Sequence, residues 1–347
     1  MASTLVLTGD VNLMNVADPE VPFRKIAGDL RAADVVFSNL ECCLHLPSSD
    51  RATFTEGFFA DPAIGGAALR LAGIHAVGIA NNVNYGGANI MASIERLEEL
   101  GIAHTGAGCN RAAARAPAVV TRNGVRVGVL QRSSVYWPTD HEAHDDSPGI
   151  AVICGHTAYQ VPTGRAHPGM PPANRPGVPP LIVTWADKDH VAEFRHDIAA
   201  LRPQVDIVVA SCHWGLGRDP LAYMREIALA AIEAGADLVI GHGPHDPLPI
   251  EIYRGRPICY GLGNLSFHTG HRGRKHENWI GMLVELVFEQ GKIATCDLRF
   301  VRHNDANETI LCRLEDETEV LADLTGRSQK LGATLTAQRD RVRVAVT

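Results

Sequence analysis

The sequence predicts an α/β fold, and three features of the chain support this prediction. Short apolar runs rich in β-branched residues, such as residues 205–210 and 238–240, have the length of buried strands. Segments with helical spacing, such as residues 187–201 and 221–234, lie between these runs. Polar side chains follow several runs directly, and open α/β folds carry their chemistry at such strand ends.

The size and net charge of the chain limit the number of domains and the kinds of partner that are expected. Its 347 residues are enough for one large α/β domain or two smaller ones. The net charge is −7, and the charges are dispersed along the chain. Because the sequence has no basic stripe and no alternation of basic and aromatic residues, a nucleic-acid partner is disfavoured and a small substrate is expected.

The sequence also predicts a cytoplasmic protein without a membrane partner. Its first residues enter a strand directly, without a basic region, an extended apolar core or a small-residue cleavage site. No segment approaches the roughly 20 apolar residues that span a bilayer. The eight cysteines show no CxxC spacing, and several lie in apolar runs, as expected for buried thiols in a reducing compartment.

Two strand ends near the amino terminus offer oxygen ligands. The first predicted strand, residues 4–8, leads to Asp10. A second, residues 35–37, is followed by Asn39 and Glu41, which would share one face of an extended chain because side chains two positions apart do so. Carboxylate and amide oxygens at these places are candidate metal ligands.

Two further strand ends carry asparagine. A strand over residues 76–80 leads to the pair Asn81 and Asn82, where Asn82 could give a carbonyl oxygen to a metal or a donor to a substrate oxyanion. Paired asparagines also make turns, and for the pair alone a turn is the favoured interpretation. Asn264 follows a glycine turn, where it either orients a ligand or closes the turn.

Three histidines follow apolar runs in the second half of the chain. His213 comes after residues 205–210, and His242 and His245 come after residues 238–240. Any one of them could simply hydrogen-bond a turn. Because neutral imidazole is the commonest metal ligand and all three share a strand-end position, the sequence favours metal ligation.

Two segments lack clear periodicity. Residues 136–180 are dense in Pro, Gly and His and read as an insertion or lid, whose histidines, His141 among them, are expected at the surface. A cationic loop holds Arg272, Arg274 and Lys275, which either bind an anionic substrate or form an ordinary solvated loop.

Capping residues and periodicity set the remaining elements. Further strands are predicted over residues 118–121, 125–131, 181–184, 250–253, 257–260, 280–288 and 292–300. The Asn123-Gly124 pair predicts a hairpin turn. Further helices are predicted over residues 22–32, 62–72, 89–100 and 315–331, and Asp61 is expected to cap the helix over residues 62–72.

Together the strand ends combine carboxylate, amide and imidazole side chains. Such a mixture is what a two-metal hydrolytic site requires, because the ions clamp a substrate oxygen and lower the pKa of a bound water. We therefore expect two divalent ions, Mn, Fe or Zn. The candidate ligands are Asp10, Asn39, Glu41, Asn82, His213, His242 and His245.

The order of short motifs resembles the CapA family, the poly-γ-glutamate capsule-synthesis branch of the calcineurin-like metallophosphoesterases. The motifs are GDVNL at residues 9–13, NLE at 39–41, ANN at 80–82, TGAGCN at 105–110, HWG at 213–215, GHGPH at 241–245 and GLGN at 261–264. The resemblance runs from about residue 4 to 300 and leaves out the insertion and the tail.

The resemblance implies a four-layer α/β/β/α sandwich with a dinuclear metal site. Residues 1–303 would form the domain, with the insertion at about 136–180, and residues 304–347 a carboxyl-terminal extension. Asp10 would be the first metal ligand, Glu41 the bridging or second-metal ligand and Asn82 a second-metal ligand. The histidines would complete the metal shells, with Asn82, His213 and His245 also taking part in catalysis.

Two departures from the family motifs bear on activity. Asn12 stands where the superfamily usually has the histidine of D-x-H, which implies a thinner or mononuclear metal shell. Val83 stands where CapA relatives have the histidine of ANNH. That histidine helps to protonate a leaving group, and acid catalysis contributes about 10²–10⁴-fold. Either His45 or an insertion histidine replaces it, or phosphoesterase activity is lost.

Three functions are consistent with these observations. The leading hypothesis is a metal-dependent hydrolase in which metal-bound hydroxide attacks a phosphoester or amide-type bond of a small anionic substrate. The second is an enzyme that forms or rearranges amide bonds of glutamyl or amino-acid-like substrates in capsule or specialised metabolism. The third is a non-catalytic accessory subunit, which the loss of the histidine at Val83 motivates.

Overall fold

The computed structural model describes residues 2–46, 59–161, 177, 179–267, 278–289 and 291–346. In chain order, the strands are β1 (Ser3–Asn12), β2 (Val35–Leu40), β3 (Ala76–Gly78), β4 (Ala103–Thr105), β5 (Ala107–Gly108), β6 (Ala118–Arg122), β7 (Val125–Ser133), β8 (Gly149–Ile150), β9 (Gly155–Gln160), β10 (Leu181–Ala186), β11 (Ile207–His213), β12 (Leu238–His242), β13 (Ile250–Tyr253), β14 (Arg256–Cys259), β15 (Asn264–Phe267), β16 (Gly281–Glu289), β17 (Lys292–His303), β18 (Thr309–Leu311), β19 (Leu335–Ala337) and β20 (Val342–Val344). The α-helices are α1 (Ala27–Arg31), α2 (Pro62–Ala72), α3 (Gly87–Glu99), α4 (Arg111–Arg115), α5 (Lys188–Leu201), α6 (Ala222–Ala234) and α7 (Thr318–Gln329).

Two large sheets organise the described residues. The first has the order β19-β20-β17-β16-β1-β2-β3-β4, with β15 beside the end of β1 and β18 beside β17. The second has the order β13-β14-β12-β11-β7-β6. Strands β1 to β4 run parallel to one another, and so do β7, β11, β12 and β14. The carboxyl ends of the parallel strands therefore collect at one edge of each sheet.

The two sheets pack face to face, with helices on both outer faces. Leu5 and Phe37 of the first sheet share an apolar cluster with Val209 of the second. Val36 points the other way and packs in the cluster that includes α1, α2 and α3. Helices α5 and α6 cover the outer face of the second sheet. Successive side chains of a strand thus serve two cores, and the predicted α/β/β/α sandwich is confirmed.

Local signals account for several element boundaries. Asp61 caps α2, because its Oδ1 atom accepts hydrogen bonds from the backbone N–H groups of Ala63 and Ile64. Asn123 and Gly124 both have positive φ in the turn between β6 and β7, as a two-residue hairpin requires. These two sequence predictions are confirmed.

Two expectations were wrong in detail. The helix predicted over residues 22–32 begins only at Ala27, because the preceding segment forms hydrogen-bonded turns instead. His141 was expected at the surface but is 1% exposed. The reason is that β8 pairs with β5 and draws the start of the predicted insertion against the domain. Whether residues 136–180 act as a lid stays a prediction.

The tail after residue 303 joins the first sheet rather than standing apart from it. Strands β18 and β20 both pair with β17, and Leu324 of α7 is buried in the cluster between the two sheets. In the parts of the chain that the structure covers, no helix is long and apolar enough to cross a membrane.

Candidate metal centre

The centre is built around Asp10, which three strands position. In the sheet, Asp10 lies opposite Asn39 of β2 on one side and opposite Asn264 of β15 on the other. Strand β15 can approach this closely because residue 9 is glycine: a Cβ atom on Gly9 would lie 2.1 Å from the carbonyl oxygen of Gly263. The register of the sheet thus brings one carboxylate and two amides together.

Asn39 holds the two carboxylates of the centre. Its Nδ2 group donates to Oδ1 of Asp10 at 2.8 Å and to Oε2 of Glu41 at 3.2 Å. Its Oδ1 atom accepts from Nε2 of Gln131 at 3.0 Å and from Nδ2 of Asn81 at 3.2 Å. The observed contacts of Asn39 are those of a residue that orients ligands, and its predicted role as a ligand stays a prediction.

Two histidines arrive from the second sheet. His213 and His242 lie opposite each other in adjacent strands β11 and β12. The Nδ1 atom of His242 is 3.1 Å from Oδ1 of Asp10, and Nε2 of His213 is 3.9 Å from Oε1 of Glu41. The hydroxyl of Ser133 lies 3.3 Å from Nδ1 of His213 and fixes that ring. The centre therefore spans both sheets.

His245 closes the centre from a loop with an unusual backbone. Its φ is +58°, a conformation that residues with side chains rarely adopt and that functional sites often retain. Its Nδ1 atom lies 2.9 Å from Oδ1 of Asn264 and 3.1 Å from Oδ2 of Asp10, while Nε2 is 3.6 Å from Oε1 of Glu41. The ring also meets Phe267 edge-on, with centroids 4.9 Å apart.

The charges of the centre reinforce one another. Burial by itself would raise the pKa of Asp10, but hydrogen bonds and attraction from His242 and His245 hold this pKa well below its usual range. Burial by itself would lower the pKa of His245, but Glu41 and Asp10 raise it to about 10. Without a metal, the two carboxylates thus keep a proton on the imidazole of His245. A divalent cation would replace that proton as the positive charge that balances them.

The donor atoms present fit a metal ion. Ligand atoms of Asp10, Glu41 and His245 lie within 4.8 Å of one another. Among the described residues, Nε2 of His213 and Nε2 of His242 are buried without a hydrogen bond, and Oδ2 of Asp10 lies 3.1 Å from Nδ1 of His245. A buried polar atom without a partner costs about 1–3 kcal/mol, which ligation would offset. Carboxylate oxygen and imidazole nitrogen are ligands for Mn, Fe and Zn.

Solvent reaches the centre through His245. Its side chain is 26% exposed, whereas those of Asp10, Glu41, His213 and His242 are at most 3% exposed. A substrate would therefore approach the centre on the side of His245. The other four side chains are already shielded from water.

The two asparagines of the turn after β3 differ in burial and in contacts. Asn81 is fully buried and donates to Asn39 and to the Leu40 carbonyl. Asn82 is partly exposed, and its backbone carbonyl accepts a 2.8 Å hydrogen bond from the Trp137 indole. The predicted metal and catalytic roles of Asn82 stay predictions, as does the anion-binding role of Arg272, Arg274 and Lys275, which lie outside the described residues.

His141 lies beside this turn but is held at both ring nitrogens. Its Nδ1 atom accepts from the Trp137 backbone N–H at 3.0 Å, and Nε2 lies 2.8 Å from the Asn84 carbonyl. Burial lowers its pKa to about 4. His141 therefore positions the turn and offers no free nitrogen to replace the histidine that the family has at Val83.

Sequence reasoning missed Gln131, Ser133 and Asn81 as parts of the centre. Gln131 and Ser133 lie at the carboxyl end of β7, the same position that identified His213 on β11. The rule that polar side chains at strand ends are functional led to Asn39 and Asn82 and would have found these two residues if it had also been applied to the end of β7.

Comparison with known proteins agrees with this architecture. The family described as bacterial capsule synthesis protein PGA_cap matches residues 4–269. The chain is 31% identical over 198 residues to a probable polyglutamine synthesis accessory protein of Mycobacterium tuberculosis, covering 55% of this chain and 44% of that protein. The chain thus spans less than half the length of that relative.

Two relatives carry the name CapA. The chain is 44% identical over 75 residues to the PGA biosynthesis protein CapA of Bacillus subtilis, covering 21% of this chain and 20% of that protein. It is 23% identical over 359 residues to the capsule biosynthesis protein CapA of Bacillus anthracis, covering 98% and 77%.

The match to the PGA_cap family covers well over half of the chain. It includes every strand end of the candidate centre, from Asp10 through His245 to Asn264. The CapA resemblance of the short motifs is thereby confirmed. The chain belongs to the PGA_cap family of bacterial capsule synthesis proteins.

Proposed function

We propose that this chain is a metal-dependent hydrolase that acts on a phosphoester or amide-type bond of a small anionic substrate. The observation that carries the proposal is that Nε2 of His213 and Nε2 of His242 are buried without a hydrogen bond, beside the buried carboxylates of Asp10 and Glu41. A centre meant only for stability would have satisfied these atoms with protein donors.

The residues divide into two groups of ligands. Asp10, Glu41 and His245 would hold one ion, and His213 and His242 with Glu41 a second. Bound there, a divalent metal supplies a Lewis acid that polarises a substrate oxygen and lowers the pKa of water. The relatives named for PGA biosynthesis and polyglutamine synthesis direct the substrate search towards glutamyl compounds.

The chain's own residues arrange this centre before any substrate arrives. Asn39 fixes the two carboxylates, Gln131 fixes Asn39, and Ser133 fixes His213. Such supporting contacts commonly affect metal affinity by about 10–100-fold. The protein thus contributes orientation and exclusion of water.

Protonation of a leaving group is the weak step in this arrangement. Val83 is 3% exposed and packs with Cys43 and Phe59, so no imidazole comes from that position. Both nitrogens of His141 are already hydrogen-bonded. We therefore expect substrates whose leaving group departs as an anion to be cleaved faster than those that need a proton, by about 10²-fold or more.

The valine at position 83 also favours a second candidate, a non-catalytic accessory subunit. With Val83 in place of the family histidine, the centre could bind metal and ligand without turnover. The name of the Mycobacterium tuberculosis relative includes the words accessory protein, which is consistent with this candidate.

The test measures metal content and hydrolysis in parallel. Elemental analysis of the purified protein should find Mn, Fe or Zn that the His242→Ala variant loses. Bis-(p-nitrophenyl) phosphate, whose leaving group needs no proton, is compared with an alkyl phosphodiester. His196→Ala is the matched control and should retain the metal, because His196 lies on the exposed face of helix α5, away from the centre.

The outcomes separate the candidates. Metal together with cleavage of the nitrophenyl ester supports the hydrolase. Metal without cleavage of either ester or of glutamyl amides supports the accessory subunit. No metal in the wild type after reconstitution would overturn both.

A further inference from the structure

Most of the described arginines form an ion pair with a carboxylate, but a few do not. Most described arginines lie within 4.0 Å of a carboxylate oxygen. The exceptions within the described ranges are Arg31, Arg70, Arg122 and Arg339. Two of these, Arg70 and Arg122, come together at one place on the surface, and the side chain of Arg31 lies beside it.

That place is a cleft of about 350 Å³ at an edge of the sandwich. Arg70, at the end of α2, and Arg122, at the end of β6, both line it. Arg31 of α1 is not part of the lining, but the aliphatic portion of its side chain packs over Gly73, which is. No acidic side chain belongs to the described lining.

His75 adds a donor to the wall of the cleft. Its Nδ1 atom accepts a 3.1 Å hydrogen bond from the Val36 backbone N–H, so the neutral ring carries its proton on Nε2. Asp34 lies near, but its oxygens are taken by Thr4 and Asn123 rather than by an arginine. Burial and the charge of Arg122 lower the pKa of His75, in keeping with an excess of positive charge here.

An ordinary structural role explains only part of this cluster. Arg31 and Arg70 lie in the last turns of α1 and α2, where a cation is favoured by the helix dipole. Arg122 is at the end of a strand, where no such effect applies. In a chain with a net charge of −7, unpaired guanidinium groups around one cavity need another explanation.

We propose that this cleft binds a small ligand with at least two anionic groups, phosphate or carboxylate. Guanidinium groups present several N–H donors that match the oxygens of either group. The volume lies at the lower end of the range for small-molecule pockets, about 300–1,000 Å³. The ligand would contact Arg70, Arg122 and the Nε2 side of His75.

The cleft is separate from the metal centre. His75 contacts β2 at Val36, whereas Asn39, three residues further along the same strand, contacts Asp10. At about 3.3 Å per residue, the two sites are about 10 Å or more apart. The cleft therefore does not depend on the proposed hydrolase activity, and each can fail without the other.

The test is calorimetric titration of the metal-free protein with pyrophosphate and with citrate at physiological ionic strength. Arg70→Gln and Arg122→Gln should each weaken binding by about tenfold, since each removes a charge-assisted contact. Arg339→Gln removes an unpaired arginine elsewhere on the surface and should leave the affinity unchanged. Thr121→Glu, which places a carboxylate on the exposed rim, should weaken binding as well.

A preference for pyrophosphate identifies a phosphate ligand, and a preference for citrate identifies a carboxylate ligand. The proposal is overturned if neither probe binds, or if Arg70→Gln and Arg122→Gln bind the probes as tightly as the wild type does. Equal weakening in Arg339→Gln would also overturn it, because the effect would then come from the overall charge of the protein and not from contacts in the cleft.

Discussion

The Nδ1 atom of His242 lies 3.1 Å from Oδ1 of Asp10, across 232 positions of sequence. Asn39 donates to the same oxygen at 2.8 Å. Two side chains thus hold Oδ1 of Asp10, while Oδ2 lies 3.1 Å from Nδ1 of His245. The carboxylate is therefore oriented by Oδ1, and Oδ2 faces another candidate ligand of the centre.

Asn39→Ala should weaken metal binding by about 10–100-fold while the protein remains folded. The reason is that Asn39 holds both Asp10 and Glu41 in position. Competition with a fluorescent chelator measures the affinity, and Asn89→Ala on helix α3 is the control. Unchanged affinity would show that the carboxylates need no such support.

Gly9→Ala should destabilise the protein by at least about 2 kcal/mol and abolish metal binding. The new Cβ would meet the Gly263 carbonyl oxygen at 2.1 Å and push β15 away from Asp10. Urea unfolding measures the free energy. Gly28→Ala, whose Cβ would meet nothing within 4 Å in α1, should leave stability equal or slightly higher. Equal behaviour of the two variants would contradict the close approach.

Asp197→Asn should cost about 3–5 kcal/mol, because it leaves the buried guanidinium of Arg132 without its carboxylate. Arg132 is 2% exposed and stacks on Phe194, so water cannot solvate the guanidinium after the carboxylate is removed. Asp206→Asn is the matched control: its pair with Arg126 is exposed, and the loss should be at most about 1 kcal/mol. Thermal unfolding compares the two, and similar losses would refute the effect of burial.

Stability of the metal-free protein should fall between pH 6.5 and 4 because of His141. Its folded pKa, about 4, lies below the ordinary value of 6.5, so the unfolded chain takes up a proton first as the pH falls. The contribution is complete above pH 6.5, and up to about 3 kcal/mol is lost by pH 4.

His141→Gln keeps a donor for the Asn84 carbonyl but does not titrate. Its free energy of unfolding, measured across the same range, should change less with pH than that of the wild type. A parallel pH dependence in both proteins would assign the loss to other groups.

The sequence predicted the fold and the residues that meet at the centre because both depend on local patterns. The strand that carries Asp10 and the strand that ends at His242 are visible as apolar runs, and the cap at Asp61 is visible as a residue type. Parallel strands then bring their ends together without any further information.

What the sequence could not predict depends on register. A shift of one residue decides whether Asn81 or Asn82 faces the interior, and the structure buries Asn81. Gln131 belongs to the centre only because β7 of one sheet lies across from β2 of the other. The burial of His141 likewise depends on the pairing of β5 with β8.

The position of β1 between β2 and β16 limits how this protein can be shortened. The family match ends at residue 269, before β16 (Gly281–Glu289), which pairs antiparallel with residues 3–7 of β1. A fragment cut at 269 would turn the strand that carries Asp10 into an open edge, with unpaired backbone groups that invite aggregation. A shortened version of this protein should therefore retain β16 and β17, since the boundary of family similarity is not a boundary of folding.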